Sequence, residues 1–122
     1  MTSSALVVED QQELAELLVE RLALDGFEAT VATTGKSALD LCRERLYDVA
    51  FVDLKLPDMS GIATAAELKR QIPELRVILM TGFASSLGDP EISWAHVDGV
   101  LPKPWRPAEL NAILRTLRRC EQ

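Results

Sequence analysis

The sequence predicts a doubly wound α/β domain, a five-stranded parallel sheet in the order 2-1-3-4-5 with helices on both faces. Three observations lead there. Four short runs, residues 5–8, 49–52, 77–80 and 99–101, are apolar without alternation, as strands buried on both faces of a parallel sheet must be. Between them lie stretches with apolar residues three and four positions apart, the spacing of a helix that covers a sheet. Strand-like and helix-like segments also alternate strictly, which favours right-handed crossovers between parallel strands.

Taken in order, the run ALVV at 5–8 forms the first strand, and Leu14, Leu17, Leu18 and Leu22 form the stripe of the first helix. Residues 27–31 alternate, as an edge strand with one wet face would. Ala38, Leu41 and Cys42 mark the second helix, and Ile62, Ala65, Ala66 and Leu68 the third. Ser60 suits its N-cap and Pro73 stops it. The fourth connection, 83–96, contains Gly88, Asp89 and Pro90, which interrupt any helix written through it and leave it short, broken or mobile. Leu110, Ile113, Leu114 and Leu117 carry the last helix, with Pro107 in its first turn.

A chain of 122 residues with 48% hydrophobic and 26% charged residues has enough apolar content for one core. Residues 1–122 therefore read as one domain. The net charge of -6 argues against a nucleic-acid or anionic-membrane surface as the main partner. Cys42 and Cys120 fit no metal-ligand or CxxC spacing and read as reduced thiols. The N-terminus has no long apolar segment, so a cytoplasmic location is expected.

The chemistry lies in the polar residues at the end of each apolar run: Glu9 and Asp10, then Asp53, then Thr81, then Lys103. In a sheet of this order the carboxyl ends of strands 1 and 3 are neighbours and form the ligand crevice. Carboxylates ~4 Å apart at an effective dielectric near 20 repel by roughly 4 kcal/mol per pair, so a cation must offset them. Hard oxygen donors of this kind suit Mg2+, which commonly pairs one or two carboxylates with phosphate oxygens. Phosphoryl transfer needs an aligned nucleophile and charge stabilisation, which the Asp53 carboxylate, the Thr81 hydroxyl, Lys103 and Mg2+ could supply.

Five motifs stand in order: Val8-Glu9-Asp10, Phe51-Val52-Asp53, Leu56-Pro57-Asp58-Met59-Ser60-Gly61, Met80-Thr81-Gly82 and Leu101-Pro102-Lys103-Pro104. Together they resemble the signature set of response-regulator receiver domains, the chemotaxis-regulator-like family of two-component signalling, over nearly the whole chain. The resemblance implies a flavodoxin-like fold, a metal-binding acidic pair in Glu9 and Asp10, a phosphoacceptor and metal ligand in Asp53, a switch hydroxyl in Thr81 and a phosphate-contacting lysine in Lys103. It also implies a metal ligand from the Lys55 backbone carbonyl and a cis peptide between Lys103 and Pro104.

The implied function is Mg2+-dependent transfer of phosphoryl from the phosphohistidine of a histidine kinase or histidine phosphotransfer protein to Asp53, with slow self-catalysed hydrolysis rather than conventional enzyme turnover. Phosphorylation would switch the face made by the fourth helix, fifth strand and fifth helix, which a downstream protein, an output domain or a second copy would read. The pattern departs in one place: the family commonly has an aromatic residue three positions before the lysine, and this chain has Val100. That departure bears on the aromatic half of the usual coupling.

Other readings fit less well. A phosphatase with an aspartyl nucleophile wants an acid two positions on, where Lys55 stands, and a flavin carrier wants a phosphate loop where Gln11-Gln12-Glu13 stands. Gly35-Lys36-Ser37 resembles the end of a P-loop, but Thr30 occupies the position of the first glycine. A receiver-like module that binds protein without being phosphorylated is the alternative. Asp58 reads as a turn residue outside the site, Gly61 and Gly82 as close approaches or turns, His96 as a loop residue, and Trp94 and Trp105 as packing or interface groups.

Overall fold

The computed structural model describes residues 3–82 and 96–120, with side chains as far as Leu117. Five strands form one sheet ordered β2-β1-β3-β4-β5, every neighbouring pair parallel. The strands are β1 (Ser3–Val8), β2 (Phe27–Ala32), β3 (Val49–Asp53), β4 (Arg76–Thr81) and β5 (Gly99–Pro102), and the described helices are α1 (Gln12–Leu24), α2 (Gly35–Glu44), α3 (Gly61–Gln71) and α4 (Pro107–Cys120). The fourth connection, including Trp94, lies outside the described residues except for His96, so the C-terminal helix is α4 here. None of the described helices is long and apolar enough to cross a membrane.

Continuous apolar runs work because successive strand residues point to opposite faces. Ala5, Val7, Phe51, Ile78 and Met80 pack on one side with Leu18 and Leu22 of α1 and Leu110, Leu114 and Leu117 of α4. Leu6, Val8, Ala50, Val52 and Val77 pack on the other with Ala38 and Cys42 of α2 and Ala65 and Leu68 of α3. The expected single wet face of the edge strand β2 is not seen: Glu28 and Val31 are its exposed residues, and alternation puts them on opposite faces. One expectation fails in α1: Leu17 is 48% exposed, and Ala15 takes its place in the core. The buried stripe thus runs Ala15, Leu18, Leu22, and Leu17 is a surface residue beside it.

The local signals act as expected. Ser60 accepts a hydrogen bond from the Ala63 amide at the start of α3, and α3 ends two residues before Pro73. Pro107 opens α4. At α2, Thr34 and Ser37 form a reciprocal capping box. Gly61 is required sterically, because a Cβ there would overlap the Asp53 carbonyl; Gly82 has no such neighbour, only the Lys103 carbonyl 3.9 Å from that position. Gly61 therefore bears out a close approach, whereas Gly82 does not.

Cys42 is a free thiol, and burial pushes its pKa up from 9.0 to about 11. The folded chain holds a proton there that the unfolded chain releases first, so stability falls as pH rises from about 9 to about 11 and not below that window, by an amount on the order of 2 kcal/mol. In a Cys120→Ser background, iodoacetamide at pH 8 should leave Cys42 unmodified in the native protein and modify it in urea. Fast labelling of the native protein would contradict the burial.

Candidate functional site

Strand register brings the polar residues together. Val8 pairs with Val52, so Glu9 follows β1 at the level where Asp53 ends β3. Asp53 pairs with Met80 and Thr81 with Pro102, which puts Thr81 and Lys103 at the same edge. Backbone hydrogen bonds seal the strand ends, from Glu9 N–H to the Ala32 carbonyl at 3.0 Å, Leu54 N–H to Met80 at 2.8 Å and Lys103 N–H to Thr81 at 2.8 Å. The Lys103–Pro104 peptide is cis, as the resemblance implies.

At the centre is an ion-pair triad. Lys103 Nζ donates to Glu9 Oε1 at 2.6 Å and to Asp53 Oδ2 at 3.2 Å. Glu9 is 1% exposed, and its other oxygen accepts from the Gln11 amide at 3.1 Å. Burial works against the Lys103 ammonium, but its hydrogen bond to Glu9 and the charges of Asp53 and Glu9 outweigh it, holding its pKa above the ordinary lysine value. The remaining Asp53 oxygen accepts from the Lys55 amide at 3.3 Å.

Asp53 is 7% exposed, yet it borders an open pocket of about 460 Å3 that Asp10, Lys55, Thr81 and Lys103 also line. The pocket supplies access to an otherwise buried carboxylate. One oxygen from each of Glu9, Asp10 and Asp53 lies within 4.8 Å of the others. Lys103 pairs with two of these three carboxyl groups, and two of the three are buried, unlike a solvated surface cluster. The set fits a hard divalent cation.

All the sequence-derived candidates meet here: Glu9, Asp10, Asp53, Lys55, Thr81 and Lys103. Val100 is half-buried against Leu79 and Val97, where it packs as an ordinary core residue. Trp105 packs against the α1/α4 core. Asp58 is more than a turn residue: its carboxylate accepts from the Gly35 and Lys36 amides at 2.9 Å each, capping α2 from another loop. That bond is not visible in sequence, because donor and acceptor lie more than 20 positions apart and no periodicity links them.

A 2-1-3-4-5 parallel sheet with acids at the ends of its two central strands, and a lysine reaching across from the last, is the architecture of a signalling receiver. Residues 5–115 match the response regulator receiver domain, and the chain belongs to that family. It is 37% identical over 114 residues to the transcriptional regulatory protein CpxR of Escherichia coli, covering 93% of this chain and 48% of CpxR. It is 34% identical over 113 residues to CreB of the same species, covering 93% and 49%. The chain thus spans about half the length of these curated relatives.

Among solved structures, a CheY-like receiver domain from Methylobacillus flagellatus superposes with a TM-score of 0.85 at 36% identity, covering 96% of this chain and 99% of that one. The response regulator TrrA from Thermotoga maritima, in complex with Mg2+ and BeF, superposes with a TM-score of 0.85 at 28% identity, covering 95% and 99%.

The triad predicts a stability pattern in metal-free buffer. Lys103→Met leaves Glu9 buried beside Asp53 without a cation and should cost about 2–3 kcal/mol in urea unfolding, below the ~3–5 of a fully buried pair because the Lys103 side chain keeps 13% exposure. The double variant Glu9→Leu/Lys103→Met should recover most of that loss. A fully stable Lys103→Met single variant would contradict the pairing.

Proposed function

We propose that residues 1–122 work as one receiver unit in which Asp53 is the phosphoacceptor, Glu9, Asp10, Asp53 and the Lys55 carbonyl hold Mg2+, and Thr81 and Lys103 bind the phosphoryl group. Membership of the receiver family supports a phosphorelay role in general. The finer reading is carried by one observation: a carboxylate open to a pocket is gathered with two further acids and touched by a lysine at 3.2 Å. The complex of TrrA with Mg2+ and BeF supports the same chemistry in a relative.

In the proposed reaction an Asp53 carboxylate oxygen attacks the phosphorus of a phosphohistidine presented by a histidine kinase or histidine phosphotransfer protein. The P–O bond forms as the P–N bond breaks, and the electron pair returns to the imidazole nitrogen. Bound Mg2+ would supply charge stabilisation for the phosphoryl oxygens. Lys103, already beside Asp53, contributes the second positive charge, and its contact with Glu9 keeps it aimed into the site. The Asp53 oxygen bonded to the Lys55 amide is oriented by that bond. Attack of water on the phosphorus resets the domain: the P–O bond to Asp53 breaks, the electron pair returns to its carboxylate, and phosphate leaves with the water's proton passing to solvent.

Signalling follows if Thr81 and Lys103 bond the phosphoryl group in only one of two conformations, since only a differential interaction can shift an equilibrium. The shifted surface is the segment after Thr81 with β5 and α4. Its readers are a downstream protein, an output domain or a second copy of the chain, in the cytoplasm. With Val100 where an aromatic switch is common, the proposed coupling rests on Thr81 and Lys103 and not on an aromatic ring at that position.

Acetyl phosphate with Mg2+ should add one phosphate to the wild type by intact mass, with no gain in Asp53→Ala or in excess chelator. Mg2+ at tenfold over its Kd should add about 1.4 kcal/mol to stability, because it binds the assembled acids and not the unfolded chain. A wild type that gains no phosphate would leave the non-phosphorylated binding module as the better reading.

A further inference from the structure

The loop from Asp53 to Gly61 carries the proposed acceptor and the proposed Lys55 carbonyl ligand, and it is closed on itself. Gly61 N–H donates to the Leu54 carbonyl at 2.8 Å, and Lys55 and Ser60 form an antiparallel bridge. A displacement of the loop tip therefore reaches Lys55. Leu56 packs the loop on the core, and Asp58 ties its tip to α2 by hydrogen bonds, accepting from the Gly35 and Lys36 amides at 2.9 Å each.

Three features make that bond a specific device. The Thr34 hydroxyl takes the Ser37 amide, which leaves the first two amides of α2 to another acceptor. The first turn of α2 contains no acidic residue, so Asp58 supplies its negative charge from a different loop. Gly35 lies so close to the loop that a Cβ there would overlap Met59 and come within 2.7 Å of the Thr64 hydroxyl. Bonds from the Lys36 and Gly35 amides also hold the Asp58 carboxyl below its ordinary pKa.

We infer that Asp58 is a positioning residue for the metal site: by tying the acceptor loop to the amino end of α2, it holds the Lys55 carbonyl where Mg2+ is bound. This rests on the metal reading above and deepens it. Outer groups that orient metal ligands typically change affinity by ~10–100-fold when removed. Asp58 acts through backbone, so the low end is expected.

The test is a Mg2+ titration of the whole chain, followed by the Lys55 amide resonance with no phosphodonor present. Asp58→Ala should weaken Mg2+ binding by about 10-fold, and Asp58→Asn, which keeps one acceptor oxygen, should fall between it and the wild type. Thr34→Ala removes the cap within α2 but spares the tie to the loop, so it should lower the melting temperature while leaving Mg2+ affinity unchanged. Equal affinity in wild type and Asp58→Ala overturns the inference, as does equal weakening by Thr34→Ala. If Asp58→Ala fails to fold, wild-type affinity in Asp58→Asn with slow amide exchange at Gly35 and Lys36 overturns it, whereas weakened affinity with fast exchange there supports it. A wild type that gives no Mg2+ response would sink the metal reading itself, an outcome distinct from these.

Discussion

One ammonium group holds the site together. Lys103 Nζ lies between Glu9 at the end of β1 and Asp53 at the end of β3, although its own backbone follows β5. Without it, two buried carboxyl groups would face each other, with Asp10 nearby. Such an arrangement is tolerable only with compensating charge. Lys103 supplies such charge to Glu9 and Asp53, and the proposed divalent cation would supply the rest.

The fold supplies the precision that this requires. Both faces of the central strands are covered, so their register cannot slip without moving apolar side chains out of one core and into the other. Fixed register in turn fixes which residues emerge at the strand ends. The loop after β3 is tightened by Gly61 beneath the Asp53 carbonyl and anchored by Asp58 on α2. Asp53, Lys103 and Glu9 are thus positioned by backbone that has little freedom, as a site built on strand ends demands.

Strand order and the members of the site are legible because each depends on local pattern plus one topological rule. Continuous apolar runs mark the strands, and the residues just beyond or at the end of each run are Glu9, Asp10, Asp53, Thr81 and Lys103. Leu17 reads as core in sequence because leucines at 14, 17 and 18 fit more than one helical stripe, and only packing selects Ala15 instead. The role of Asp58 is hidden for a different reason. An acid after proline has a sufficient local explanation as a turn residue, and its partners, the Gly35 and Lys36 amides, are backbone groups that leave no mark in side-chain chemistry.

The most direct test is a crystal of the wild-type chain soaked with Mn2+ in place of Mg2+ and measured for anomalous scattering. The account predicts one strong peak in the pocket, within about 2.0–2.4 Å of carboxylate oxygens of Glu9, Asp10 and Asp53 and of the Lys55 carbonyl. A pocket without a peak, or a peak bound only by surface acids elsewhere, would contradict it.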